Sequence, residues 1–574
     1  MLVALLLACA TADTSPPEDT DPTGDTDTGT GADTDTDTDT ATDTDPPSEP
    51  ELWFYVSYNL QTTEGVDAVV ALLDRASAAG YHGMVLADFK LHFLHTDILP
   101  DWYDPNLQAV LDHAASVGID VVPAVAPFGY SEGILFEDHD LAEGRPVTAR
   151  FVARGGRLEV LDGYAGLRDG GFEAHDGDRF SGWSWQDDRV KADTAVFRSG
   201  ASAARIDAGS GNARIVQSTT LAPGRQYRLS WSMKTADTWG YPQVIVLNDA
   251  GGALLNLNTL SAAATQDWTR YDIAFDSGDA TNVSVYVGVW GEMGGTVWFD
   301  DVSLQETALV NLIRREGAPL TITGADGTEY AEPADVAPIV DPGTFDDWHE
   351  PPVPMLPEGS RIAEGDEVTL RHFVVQPIYG YQVGACLSEP AVDEWVDANL
   401  AAVSARFPAA NGVMLGYDEM RHLNTCDACG ARGLDAGALL AAHVADTQER
   451  VRAAWPHART YVWSDMFDPY HNARAGYYLV EGDLTGSWAG LDPETIVMNW
   501  HIGNANSAQF FADRGFEQIL AGYYDSGDGT TSAVDELSAA SGVPGLRGLM
   551  YTTWASDWTQ LEAYAESARA AWPR

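Results

Sequence analysis

Positive charge is scarce in this chain. Its 574 residues hold 32 Lys and Arg against 86 Asp and Glu, a formal net charge of −54. So acidic a surface excludes charge-driven binding to nucleic acid or to an anionic membrane face. Cysteine is rarer still: four in the whole chain rule out a disulfide scaffold. Long hydrophobic runs are absent too, and none approaches the ~20 residues that span a bilayer. Aromatic residues are plentiful instead, with 18 Trp and 22 Tyr, and sugar binding is one use for them. At roughly 100–200 residues per domain, this length calls for several domains.

The ends of the chain read differently from its body. Residues 1–9, MLVALLLAC, resemble the end of a bacterial lipoprotein signal, with Leu6-Leu7-Ala8-Cys9 as the lipobox, although no Lys or Arg precedes the apolar run. The resemblance implies lipidation at Cys9, export, and a lipid anchor at the cell envelope or surface as the sole membrane contact. Residues 10–50 are nearly all Asp, Thr, Pro, Gly, Ala and Ser, with 13 acids and no base. Such a stretch buries too little apolar surface to offset its chain entropy. Self-repulsion extends it, so it is expected to act as a disordered tether.

From residue 51 short apolar runs alternate with helical periodicity. Leu52–Tyr58, Gly83–Asp88 and Ile119–Pro127 come first, with helical stretches around Val66–Leu73 and Leu107–Ala114 between them. The alternation stops near Tyr130 and resumes after residue 380. A helical stretch, Pro390–Phe407, then leads into Gly412–Glu419, Thr460–Met466, Thr495–Trp500, Gln518–Tyr524 and Leu546–Trp554. Three runs before the gap and five after it make eight. The predicted fold class is α/β, a (β/α)8 barrel with strands 1–3 in 51–130 and strands 4–8 in 381–574. Within the gap, 169–307 reads as an inserted all-β sandwich. In Asn282–Trp290 the valines at 283, 285, 287 and 289 face one way, and Tyr286 and Trp290 the other. Segments 131–168 and 308–380 read as irregular connections and hairpins.

The edges of the insertion carry a pattern. Gly170-Gly171-Phe172-Glu173 opens it, Arg198–Ile206 follows, and Val297-Trp298-Phe299-Asp300-Asp301-Val302-Ser303-Leu304 closes it. This resembles the jelly-roll carbohydrate-binding modules of the cellulose- and xylan-binding superfamily. The resemblance implies a structural calcium at Glu173 and Asp301; the alternative is two solvated acids. Trp183, Trp185, Trp239, Tyr241, Tyr286 and Trp290 are candidates for sugar stacking, whereas Trp231 and Trp298 are expected in the core.

The strongest chemical signal is Gly412-Val413-Met414-Leu415-Gly416-Tyr417-Asp418-Glu419, an apolar strand ending in adjacent carboxylates. Active sites of such barrels lie at these strand ends. Here the chain resembles family-20 β-N-acetylhexosaminidases, whose fourth strand ends in Gly-x-Asp-Glu. Tyr461–Met466 resembles that family's fifth-strand Trp-x-Asp segment, and Gly548–Trp554 its eighth-strand end. The resemblance implies hydrolysis of glycans with terminal N-acetylhexosamine by a retaining, substrate-assisted route. Glu419 would be the general acid and base, and Asp418 would orient the 2-acetamido nucleophile. Trp463, Trp500 and Trp554 would wall the pocket, and Asp465, Asn499, Tyr523 and Tyr524 would supply hydrogen bonds. No catalytic cofactor is implied. The first three strands depart from the family: the first has no Arg, Leu86–Lys90 stands in place of His-x-x-Asp, and the third lacks its Glu.

Three other readings stay open. Glu419 and Asp525 could act as acid and nucleophile of a two-carboxylate retaining glycosidase. Asp418 and Glu419 could merely cap a helix or pair with Arg421. The whole could be a non-catalytic, glycan-binding surface lipoprotein. Nothing resembles a nucleotide-binding glycine loop, and no HExxH occurs. Cys386, Cys426 and Cys429 admit a disulfide plus one thiol, zinc with a fourth ligand such as His422, or unpaired thiols.

Overall fold

A computed structural model of the chain describes residues 48–573, apart from 165, 249–252, 258–261, 344, 346, 379–381, 502–503, 524 and 526–527. Cys9, nearly all of the acidic tether and Tyr524 lie outside the described residues. Among the described residues no helix is long and apolar enough to cross a membrane.

Eight parallel strands close into a barrel: β1 (Glu51–Val56), β2 (Gly83–Leu86), β3 (Asp120–Val125), β4 (Gly412–Leu415), β5 (Arg459–Trp463), β6 (Ile496–Asn499), β7 (Glu517–Tyr523) and β8 (Leu546–Thr552), with β8 pairing back to β1. Each strand alternates two apolar faces, as burial on both sides demands. Trp53, Val85, Val122, Met414, Tyr461, Trp463, Met498, Ile519 and Met550 fill the barrel. Phe54, Val56, Leu86, Leu415, Val462, Val497, Leu520 and Leu549 face the helices. Two glycines make room for the large rings. A Cβ at Gly83 would lie 2.3 Å from the Trp53 ring, and one at Gly412 2.3 Å from the Tyr461 ring.

The crossovers include α1 (Thr63–Ala78), α2 (Tyr103–Val117), α3 (Pro390–Arg406), α4 (Ala436–Ala454), α5 (Ala505–Ala512) and α6 (Gly529–Ala539), and α7 (Leu561–Ala571) follows β8. Side-chain caps fix several helix starts. Thr62 accepts from Gly65 N, Asn504 from Asn506 N and Asp528 from Thr530 N. One expected helix is missing: between β5 and β6 the chain makes only two 3-10 turns and a short strand. That stretch is held by side-chain anchors instead, such as Ser487 Oγ donating to Met466 O at 2.6 Å.

The sandwich rests on two long strands, Gln226–Asn248 and Asn282–Thr307, which pair along most of their lengths and pass from one face to the other. The first half of one pairs with Gln266–Asp276, and the first half of the other with Ala213–Thr220. The alternating valines 283–289 lie in its core with Trp231 and Tyr227.

The segments flanking the sandwich hold the expected hairpins, 145–160 and 321–330, and these join in one sheet. Arg145–Arg154 pairs antiparallel with Glu367–Val374 over eight residues, and these two strands anchor a six-stranded sheet with a core of its own. Its strands are contributed from both sides of the insertion.

Candidate functional site

Glu419 sits where β4 gives way to its loop, with φ of +51°, a left-handed conformation that a glutamate adopts only when held. Asp465, just past β5, holds it. The Asp465 carboxylate is fully buried and accepts from Glu419 N at 2.8 Å, Asn472 Nδ2 at 2.9 Å and Trp500 Nε1 at 3.2 Å. Through these bonds Asp465 orients both Glu419 and Trp500.

The Glu419 side chain, about one quarter exposed, is itself engaged. Arg421 Nη2 donates to Oε1 at 2.8 Å, and Tyr130 Oη and Gln382 Nε2 both donate to Oε2, the latter at 3.3 Å. The other end of the Gln382 amide, Oε1, is a buried acceptor with no partner among the described residues. The bland expectation of a pair with Arg421 is therefore met for Glu419. Asp418 has no such cation at contact. Burial, with Asp465 and then Glu419 adding like charge, pushes its carboxyl up to about 8. Burial likewise moves Asp465 to about 6. Glu132, two residues past Tyr130, rises to about 7 through burial alone.

Aromatic rings adjoin this cluster. Tyr55 on β1 touches both Trp463 and Trp554, at centroid distances of 5.6 and 5.4 Å. Trp463 is almost wholly buried in the barrel interior, and Trp500 packs on the same cluster. Two other expected ligands point elsewhere. Asn499 alternates with inward-facing Met498, so its side chain turns outward, donates to Gln518 and accepts from Ser507. Tyr523 stacks on Tyr551 at 4.5 Å and donates to Asp557. Asp525 accepts from Thr553 Oγ1, Trp554 N and Ala555 N, tying the end of β7 to the end of β8. A carboxylate so committed is a poor nucleophile.

On the sandwich, Trp185 is 47% exposed and half-buried Tyr286 and Trp290 share its face. Arg214 lies over Trp185 at 5.6 Å and over Trp290 at 5.8 Å. Trp185, Arg214, Tyr286, Ser184, Ser218 and Ser284 border a shallow groove of about 340 Å³. Trp239 is exposed on another edge. Trp183 is corrected: it is buried and stacks on Phe172 at 5.1 Å, in the core. Trp231 and Trp298 are buried as expected. Of the implied calcium pair, Glu173 accepts from Ala201 N and Asp301 already faces a cation, Arg198, at 3.3 Å. The buried acid on this loop is Asp300, which caps Arg198 N and Ser199 N.

The three cysteines form no disulfide: Cys386 Sγ is 3.5 Å from Cys426 Sγ and 3.6 Å from Cys429 Sγ. His422 is not with them, since its Nε2 meets Thr425 Oγ1. The buried carboxylate beside the thiols is Glu143.

The sequence did not point to Tyr55, Tyr130, Gln382 or Glu143. Tyr130 and Gln382 stand 289 and 37 residues from Glu419, and no local pattern links them to it.

No family model matches the chain, and no curated protein does. Solved structures do. A β-N-acetylhexosaminidase from Bacteroides fragilis aligns over 91% of this chain and 66% of its own, at 9% identity and a TM-score of 0.36. A Flavobacterium johnsoniae chitobiase aligns over 91% and 48%, at 10% identity and the same score. The chain thus spans between about half and two thirds of these enzymes' length. A family 16 carbohydrate-binding module aligns with 24% of this chain and 97% of its own, at 22% identity and a TM-score of 0.20.

Proposed function

We propose that the barrel is a glycoside hydrolase in which Asp418 and Glu419 handle protons as one pair, acting on glycans that end in N-acetylhexosamine. The observation that supports this most is the meeting of Asp418, Glu419 and Asp465 beside the rings of Trp500, Trp463 and Tyr55 at the C-terminal mouth of the barrel. Hydrolysis needs a protonated acid near neutral pH. A carboxyl pushed up to about 8 keeps one proton within the pair. Glu419, fixed by Arg421, Tyr130 and Asp465, gives its own proton to the leaving oxygen and later takes one from water. Asp418 orients the 2-acetamido group, whose oxygen attacks the anomeric carbon. That route needs no nucleophile across the pocket, which suits a site where Asp525 is spoken for.

The sandwich adds a second, non-catalytic glycan contact through Trp185, Tyr286 and Trp290. The first nine residues would tether the protein to the cell envelope through a lipid on Cys9.

The test is hydrolysis of aryl glycosides of N-acetylglucosamine, N-acetylgalactosamine, glucose and galactose by the wild type, Glu419→Gln and Asp418→Asn. Turnover of only the N-acetyl sugars, lost in both variants, is the expected result. Turnover of plain sugars would remove the acetamido role. Turnover indifferent to both substitutions would overturn the assignment. Complete inactivity alongside binding on a glycan array would favour the binding lipoprotein, a reading to which the Glu419–Arg421 ion pair lends weight.

A further inference from the structure

Among the described residues, Glu143, Cys386, Cys426 and Cys429 are the one group of His, Cys, Asp and Glu side chains close enough to share an ion, with one ligand atom of each lying within 4.8 Å of the others. All four are at most 2% exposed. The four come from three separate parts of the chain: Glu143 precedes the insertion, Cys386 follows it, and Cys426 and Cys429 flank the start of a short helix, Asp427–Ala431, in the loop beyond β4.

The spacing between these atoms is the argument. A disulfide holds its sulfurs at ~2.05 Å, far inside the 3.5 and 3.6 Å seen here. Around a tetrahedral zinc, with Zn–S of about 2.3 Å and Zn–O of about 2.1 Å, the edges are about 3.8 Å between sulfurs and about 3.6 Å from sulfur to oxygen. Glu143 Oε2 lies 3.5 Å from Cys426 Sγ and 3.3 Å from Cys429 Sγ. Its other oxygen is fully used elsewhere, accepting from Thr425 N at 2.6 Å and Cys426 N at 2.8 Å. One carboxylate oxygen is thus held by backbone amides so that its twin faces three sulfurs. A buried carboxylate among sulfurs is costly unless cations pair with the group. Arg315 Nη2, 3.3 Å from Cys426 Sγ, supplies one such cation and a donor suited to a thiolate.

We infer that Glu143, Cys386, Cys426 and Cys429 bind one structural zinc ion. Three sulfurs and one oxygen, spaced 3.3–3.6 Å along four of their six edges, suit zinc, and four protein ligands leave no open position for chemistry. The ion staples the loop carrying Cys426, seven residues past Glu419, to both chain segments that enter and leave the accessory sheet. Backbone bonds run alongside it: Glu143 N donates to Gly384 O, and Cys386 N to Leu141 O. This inference does not depend on what Glu419 does.

Metal analysis of the full-length protein, purified with zinc in the medium and no chelator, tests it. The expected result is one zinc per chain, with Cys386, Cys426 and Cys429 protected from alkylation until a chelator and denaturant are added. Glu143→Gln should release zinc to a chelator at least tenfold faster than wild type. Should that variant fail to fold, wild-type protein reconstituted with cobalt(II) gives the same information. Thiolate-to-cobalt charge transfer with intense tetrahedral d–d bands is expected, and an octahedral spectrum would overturn the site. Peptide mapping that finds any two of these cysteines disulfide-linked would also overturn it. So would metal-free protein whose three thiols alkylate at once.

Discussion

The barrel mouth and the outer face of the sandwich draw on the same aromatic supply but give it different polar company. At the mouth, Tyr55, Trp463, Trp500 and Trp554 adjoin three carboxyls, two of which burial pushes up to about 8 and about 6. On the sandwich, Trp185, Tyr286 and Trp290 adjoin Arg214 and serine hydroxyls, and the one acid at contact with Arg214, Asp187, is its ion-pair partner. Rings give both surfaces something to lay against a sugar. Of the two surfaces, the mouth is the one where burial lifts carboxyls beside the rings toward neutral pH. Chemistry is therefore expected in one region and retention alone in the other, and the substitutions below are chosen to separate the two.

The largest effect belongs to the pair itself. Asp418→Asn and Glu419→Gln should each lower kcat by about 10²–10⁴, the range for a lost general acid or base, without altering glycan retention by the sandwich. Steady-state kinetics beside a polysaccharide pull-down would show it. The two regions would lose their distinction if pull-down fell in parallel with kcat.

Asp465→Ala comes next. It leaves Glu419 N and Trp500 Nε1 without their acceptor, and misplacing a catalytic group by about 1 Å costs about 10² in rate. The expected signature is a fall in kcat of that order with KM moving less. Asp465→Asn keeps an acceptor oxygen and should recover part of the loss, which a generally unfolded site would not allow.

Much of this was legible in the residues. Eight apolar runs at strand length announced the barrel because a parallel strand buried on both faces must be apolar throughout. Carboxylates at the end of such a run had few other reasons to be there. What stayed hidden required long-range pairing. Arg145–Arg154 meets Glu367–Val374 across some two hundred residues, so neither reads as part of a sheet alone. Glu143 looks like any surface acid until its carboxylate is seen against the sulfurs of Cys426 and Cys429. Trp183 and Trp185 share parity, yet the chain bends before the strand that begins at Trp185, and the first ring goes inside. Sequence periodicity speaks only for residues within one strand.

The mouth should also set how stability responds to pH. Asp418 rises from an ordinary 3.8 to about 8 in the folded chain, and Asp465 to about 6. A carboxyl raised on folding favours the native state most at low pH, below its unfolded value. That contribution is lost as pH climbs through the folded value. Across pH 4 to 8 the two carboxyls should therefore draw Tm down, in the same direction as the self-repulsion of a chain at −54. Thermal melts of wild type and Asp418→Asn from pH 4.5 to 8.5 would isolate the pair. The variant should equal or trail wild type at the acid end and lead it by a few degrees at the alkaline end. Parallel curves would mean that Asp418 is ionised in the folded state.

The smallest effect is expected on the sandwich, and it is the sharper test of the contrast. Trp185 and Trp290 bracket Arg214, so removing either ring takes away one face of the stack while Arg214 keeps its ion pair with Asp187. Trp185→Ala should weaken retention on an insoluble polysaccharide about tenfold, a difference of about 1.4 kcal/mol. It should leave turnover of a small aryl glycoside unchanged. Trp183→Ala, two residues away, should act in the opposite manner: it opens a cavity beside Phe172 and lowers stability by about 3 kcal/mol or more, with no selective effect on retention. If Trp185→Ala slowed the small substrate as much as the polymer, the sandwich ring would belong to the same site as Glu419, and the division between a reacting mouth and a holding face would fail.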